Sequence, residues 1–142
     1  MAYCTQADIE LAISDDVLTQ LTDDDNAGSA DAEVVAQAIA TADAEIDGYC
    51  AAKYAVPFAT VPAIVKALSI EIAVYYLYKR RTVPEIIEKA YDKAIARLKD
   101  IAKGLLTLGV DPPPAASTTA DSAECNKTAS DRIFTRDTLK GF

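Results

Sequence analysis

The chain of 142 residues contains no histidine and no tryptophan, and it has one methionine, three cysteines and five glycines. Without histidine there is no His-based catalytic dyad or triad and no imidazole metal ligand. Cys4, Cys50 and Cys125 are far apart, odd in number and in no CxxC pair. That pattern argues against a disulfide framework or a thiolate zinc site and fits a reducing compartment. The five glycines form no phosphate-cradling loop. Long hydrophobic runs are missing too: the longest, Ala63 to Tyr78, is interrupted by Lys66, Ser69 and Glu71. It falls short of the ~20 residues that span a bilayer. The opening MAYCTQADIE has no basic n-region and no apolar h-region, so no secretory signal is expected. These absences predict a soluble protein that is not an enzyme, with no cofactor, no metal and no membrane partner.

Positive charge is absent from the first 52 residues, where twelve Asp and Glu lie; all fourteen Lys and Arg follow from Lys53 onward. The first part thus carries −12 and the rest +4, which together make the net −8. An acidic total disfavours nucleic acid as the main affinity partner, because phosphate neutralisation needs net Lys and Arg. A solvated acidic surface is the ordinary meaning of such asymmetry. The sharper meaning is head-to-tail assembly, the acidic part of one subunit facing the basic part of the next.

The 51% hydrophobic content is arranged with helical periodicity. Thr5 and Ser14 are candidate N-caps of two short helices, Gln6 to Ala12 and Asp15 to Leu21. Asp31 caps a long helix running to about Lys53, whose stripe Val35, Ile39, Ala42, Ile46, Tyr49 steps by four and three. Pro57 and Pro62 bound a connector. The next helix, Pro62 to Arg80, is apolar nearly all round and is expected at the centre, wrapped by the other helices or by a partner subunit. Thr82 and Glu85 form a T-x-x-E capping box that starts a last helix at Val83. Its stripe is Ile87, Tyr91, Ala94, Leu98, Ile101 and Leu105, and Gly104 and Gly109 can end it. The predicted fold is all-α, a small helical bundle of two short and three longer helices over residues 1–109.

Residues 110–130 change to Pro, Ala, Ser and Thr, with prolines at 112–114. This composition predicts a flexible linker, able to reach up to ~70 Å when extended. Residues 131–142 regain Ile133, Phe134, Leu139 and Phe142 among charges such as Arg132 and Arg136. An apolar tip beyond a loose linker reads as a docking arm.

Several constellations invite sharper readings. In DDDNAGSADAEV, Asp23, Asp25 and Asp31 fall at positions one, three and nine of a calcium loop. Positions five and twelve are Ala27 and Val34, so the bidentate Glu is missing and an acidic turn is the expected outcome. Tyr75, Tyr76 and Tyr78 precede Lys79, Arg80 and Arg81, yet consecutive helical residues point in different directions and make no single base-stacking platform. Glu71, alone in the most apolar helix, is expected to pair with a cation from another element. Lys89, Lys93 and Arg97 recur every four residues as one basic stripe, ordinarily a solvated face and here the best candidate subunit interface.

The block EIDGYCAAKYAVPFATVPAIVKALSIEIAVYYLYKRR, from Glu45 to Arg81, resembles the Mu-like phage head–tail connector family in its I-D-G-Y, K-Y-x-V-P, V-P and I-A-x-Y-x-L-Y-K elements. LTDDDNAGSADAEVVAQAI and the terminal RIFTRDTLKGF are similar to that family as well, and Leu106 to Ser130 matches least. The resemblance implies a small α-helical adaptor in the virion neck, assembled in the host cytoplasm. It implies a homo-oligomeric ring, twelve-fold in the virion, between the portal protein and a lower neck (stopper) or tail-completion protein. Double-stranded DNA would pass through an acidic lumen without specific binding. Composition alone admits a second reading, an acidic DNA mimic that blocks a host DNA-binding protein.

Overall fold

The structure, a computed structural model, describes residues 2–110. Among them are five helices and no strand: α1 (Gln6–Ala12), α2 (Asp15–Thr22), α3 (Ala32–Cys50), α4 (Ala63–Lys79) and α5 (Glu85–Lys103). The all-α bundle and the two-short, three-long pattern match the periodicity. The linker and the tip, with Cys125, lie outside the described residues.

Local chemistry sets most boundaries. At α1 the Thr5 hydroxyl accepts from the Asp8 amide at 3.3 Å and the Asp8 carboxylate accepts from the Thr5 amide at 3.0 Å. This reciprocal cap satisfies two of the orphan donors at a helix start. Asp31 accepts from the amides of Glu33 and Val34 at the head of α3. Ser14 stands at the α2 N-cap without a side-chain bond, leaving Asp15 and Asp16 to complement the dipole.

Three boundaries depart from expectation. The Thr82–Glu85 capping box does not form: α5 starts at Glu85 with Pro84 at the N-cap. Pro84 disfavours helical backbone at Val83, which keeps Thr82 and Val83 outside the helix. Pro62 likewise caps α4 from outside rather than opening its first turn. The third departure is α3, which stops at Cys50 rather than near Lys53, because the chain turns off to bury Tyr54 and Phe58. At the other end Gly104, at φ 77°, closes α5 in the left-handed conformation, its amide reaching the carbonyls of Asp100 and Ile101. A side chain there would also strike the Lys53 ammonium. Because α5 ends there, Leu105 leaves the predicted stripe and is 77% exposed.

α4 is the centre, touching α1, α2, α3 and α5, with α3 as its most extensive partner. It buries Val65, Leu68, Ser69, Ile72, Ala73, Val74 and Leu77. α3 brings Val35, Ile39, Ala42 and Ile46 against it, and α5 adds Ala94, Leu98 and Ile101. Burying one such aliphatic side chain contributes ~1.5–3 kcal/mol, so this interlock holds the body together.

A row of aromatics ties the two ends of the described chain. The Tyr3 ring packs against Phe58 and Phe58 against Tyr54, at 5.7 and 6.2 Å between centroids. The Tyr3 hydroxyl donates to Asp47 and accepts from the Phe58 amide at 3.3 Å. The Tyr54 hydroxyl accepts from the Leu108 amide at 3.2 Å.

Candidate functional site

The predicted basic stripe lies on one side of α5, where Lys89, Lys93, Arg97, Ile86 and Ala90 line a groove with Glu71 of α4. The groove has a volume of about 370 Å³. Glu71 does meet a cation from another element, Arg97, 3.9 Å away on α5. Lys89 pairs with Glu85 one turn back, at 2.5 Å. Both pairs are solvated and so contribute little to stability. Lys93 makes no ion pair among the described residues. Ile86 stands 75% exposed in the middle of these cations.

Much of the acidic first part is used internally. Asp8 pairs with Lys66 at 2.8 Å, and that ammonium lowers its carboxyl from the ordinary 3.8 to about 2. Asp24 holds Arg80 and Arg81, and the Arg80 guanidinium also donates to the Leu21 carbonyl. Asp23 accepts from the amides of Ala27 and Gly28, at 2.9 and 2.8 Å, which hold its carboxyl below the usual range. With Asp31 spent on the α3 cap, Asp23, Asp24 and Asp31 of the calcium-like loop serve separate internal tasks, and Asp25 is exposed.

Two polar clusters join helices. In the first, Asp43 is buried; its carboxylate accepts from the Ser69 hydroxyl at 2.8 Å and the Tyr3 amide at 3.1 Å. Burial pushes the Asp43 carboxyl up, against the pull of both donors. In the second, Glu45 accepts from Tyr76 of α4 at 3.1 Å and Tyr91 of α5 at 3.0 Å, joining three helices. Tyr75 stacks on Tyr91 at 4.0 Å, and the Lys79 ammonium lies 5.5 Å over the Tyr76 ring. The tyrosines thus work between helices. Sequence reasoning missed Asp43, although its position four residues after Ile39 already put it on the buried face of α3. It missed Glu45 because the signal there is a spatial convergence.

The thiols of Cys4 and Cys50 are buried, and burial, with Asp47 nearby, pushes that of Cys50 up to about 11. A thiol so placed stays protonated at neutral pH and is a poor nucleophile. No helix among the described residues is long and apolar enough to cross a membrane. The tip residues Arg132, Ile133, Phe134, Arg136, Leu139 and Phe142 lie outside the described residues.

The profile of the family described as Bacteriophage Mu, Gp36 matches residues 3–127. The chain belongs to this Gp36 family. A Mu-like prophage FluMu protein gp36 of Haemophilus influenzae is 30% identical over 126 residues, covering 89% of this chain and 87% of that protein. Gene product J of Escherichia phage Mu is 34% identical over 102 residues, covering 72% of this chain and 70% of its own length. The Gp36 match takes in all five helices and both polar clusters, and the tip lies beyond it.

Proposed function

We propose that this chain is a structural adaptor of the head–tail connector in a Mu-like phage particle, a ring subunit that docks under the portal and lets DNA pass. Membership of a Mu-like phage family carries the reading. The helical body supports it: what faces outward is a cationic groove on one side and unpaired acids with an exposed leucine on another. That is the equipment of a protein that meets other proteins. In this reading Lys89, Lys93 and Arg97 face a neighbouring subunit. The terminal segment, with Arg132, Ile133, Phe134, Arg136, Leu139 and Phe142, docks on the portal or on the next subunit. Weak contacts of this kind become durable when they repeat around a closed ring.

The internal use of the acids favours an adaptor over a DNA mimic. Asp8, Asp23, Asp24, Asp31, Asp43, Glu45 and Asp47 each accept a bond from the chain's own groups. A surface that imitates regularly spaced phosphates needs carboxylates free of such commitments, and even the exposed Asp24 and Asp31 are bound to Arg80 and to the α3 cap.

The test is genetic and structural. Interrupting the gene in its phage should give DNA-packaged heads and finished tails that stay apart, with joining restored by the protein supplied in trans. Infectious particles that lack the protein would overturn the adaptor reading.

A further inference from the structure

Two of the three large apolar side chains most exposed among the described residues sit on patches of opposite charge. Leu11, at the end of α1, is 88% exposed. Asp15 and Asp16, at the start of α2, follow within five residues and are both exposed. Neither makes an ion pair among the described residues. Ile86, 75% exposed, lies with Ala90 in the groove edged by Lys89, Lys93 and Arg97. One patch is an apolar knob followed in the chain by two acids. The other is an apolar trough of Ile86 and Ala90 among three cations and Glu71, in which Lys89 and Arg97 pair with Glu85 and Glu71 and Lys93 makes no ion pair among the described residues.

The two patches lie on different helices, Leu11 on α1 and Ile86 on α5. Asp8, bonded to Lys66, fixes α1 beside the first turn of α4. Ile86 is the second residue of α5, just past the far end of α4, whose 17 residues span ~25 Å. A knob at one end and a trough at the other, unlike in shape and charge, suit a heterologous contact, which propagates from copy to copy and closes into a ring.

We propose that copies of this chain meet head to tail, Leu11 of one seated against Ile86 and Ala90 of the next, with Asp15 and Asp16 opposite Lys89, Lys93 and Arg97. The occupant is thus a second copy of the chain, and the contact gives the ring reading above, on which its biological meaning rests, a specific geometry. A knob this small buries less than the ~1,200 Å² of a stable pairwise interface. The purified chain should therefore associate weakly, and only ring closure makes the contact lasting.

The experiment is disulfide trapping of the full chain in a Cys125→Ser background, where the remaining cysteines, Cys4 and Cys50, are buried. Leu11→Cys and Ile86→Cys are made in separate chains, both at exposed positions, and circular dichroism checks that helicity is kept. On oxidation, the mixture should form a mixed disulfide about tenfold or more faster than either variant forms its own, by the raised effective concentration of a docked pair. Adding Lys89→Glu, Lys93→Glu and Arg97→Glu to the Ile86→Cys chain should abolish that advantage. Adding Asp15→Lys and Asp16→Lys to the Leu11→Cys partner should then restore it. A mixture no faster than the single variants, or fastest linkage of Leu11→Cys to itself, overturns the proposal. Absence of the protein from purified phage particles would instead overturn the neck reading and leave a trapped contact standing.

Discussion

α4 and α5 are neighbours of similar length, 17 and 19 residues, and they are built on different plans. α4 carries Glu71 as its one acid and is enclosed by four other helices. α5 gives one face to the core through Ala94, Ile95, Leu98 and Ile101, and the other to water with a charge at nearly every turn. The difference separates two tasks. Residues on α4 decide whether the chain folds, whereas the outer residues of α5 are spared that duty and can be chosen for what they meet.

Substitutions along this divide should grade from large to negligible. Leu68→Ala on α4 empties a fully buried site and is expected to cost ~2–5 kcal/mol in denaturant unfolding. A loss under about 1 kcal/mol, far below that range, would mean α4 is not the centre. Next comes Asp43→Ala, which strands the buried Tyr3 amide and leaves the Ser69 hydroxyl only the Cys4 sulfur at 3.2 Å as acceptor, at ~1–3 kcal/mol per stranded group. Hydrogen exchange at Tyr3 should quicken in that variant, and unchanged exchange there would sever the N-terminal segment from the core.

Glu45→Gln, at the joint between the two helices, should cost ~0.5–1.5 kcal/mol. It also has a pH signature. Burial and then Glu45 hold the Tyr91 hydroxyl well above its ordinary 10.0, and Tyr76 is raised by burial and the same carboxylate. The folded state therefore keeps protons that the unfolded chain releases, and stability falls as pH rises above about 10. In Glu45→Gln that alkaline decline should be shallower, with tyrosinate absorbance appearing at lower pH; an identical titration would mean that burial alone sets these hydroxyls. Lys93→Glu, on the outer face of α5, should change stability by under ~0.5 kcal/mol. A larger loss would place that face in the fold and erase the contrast between the helices.

How much of this was legible in the sequence follows the same divide. The stripes of α3 and α5, with the all-round apolarity of α4, announced the core because burial selects apolar residues, and the local caps at Thr5 and Asp31 were readable from residue type. The pairing of Glu71 with another element followed from its isolation on an apolar helix. The start of α5 was misread because Pro84 constrains its predecessor more strongly than a capping-box pattern favours it. Leu105 was misplaced because a glycine one residue earlier ends the period. Glu45, Tyr76 and Tyr91 lie 46 positions apart at their extremes, so no window of local sequence shows them meeting. The exposed pair of Leu11 and Ile86 was invisible for the same reason: an apolar residue on a helix looks alike whether or not the fold covers it.

The aromatic row from Tyr3 through Phe58 and Tyr54 to Leu108 has a mechanical meaning. A pull on the chain beyond Val110 first meets the Leu108 amide held by Tyr54. From there it passes through rings packed at a tilt to Tyr3 and to Asp47 of α3. Tension applied at the exit is therefore taken up as shear across several side chains at once, a geometry that resists far better than peeling α5 away one turn at a time. A chain tugged at its far end would keep its shape while transmitting the tug.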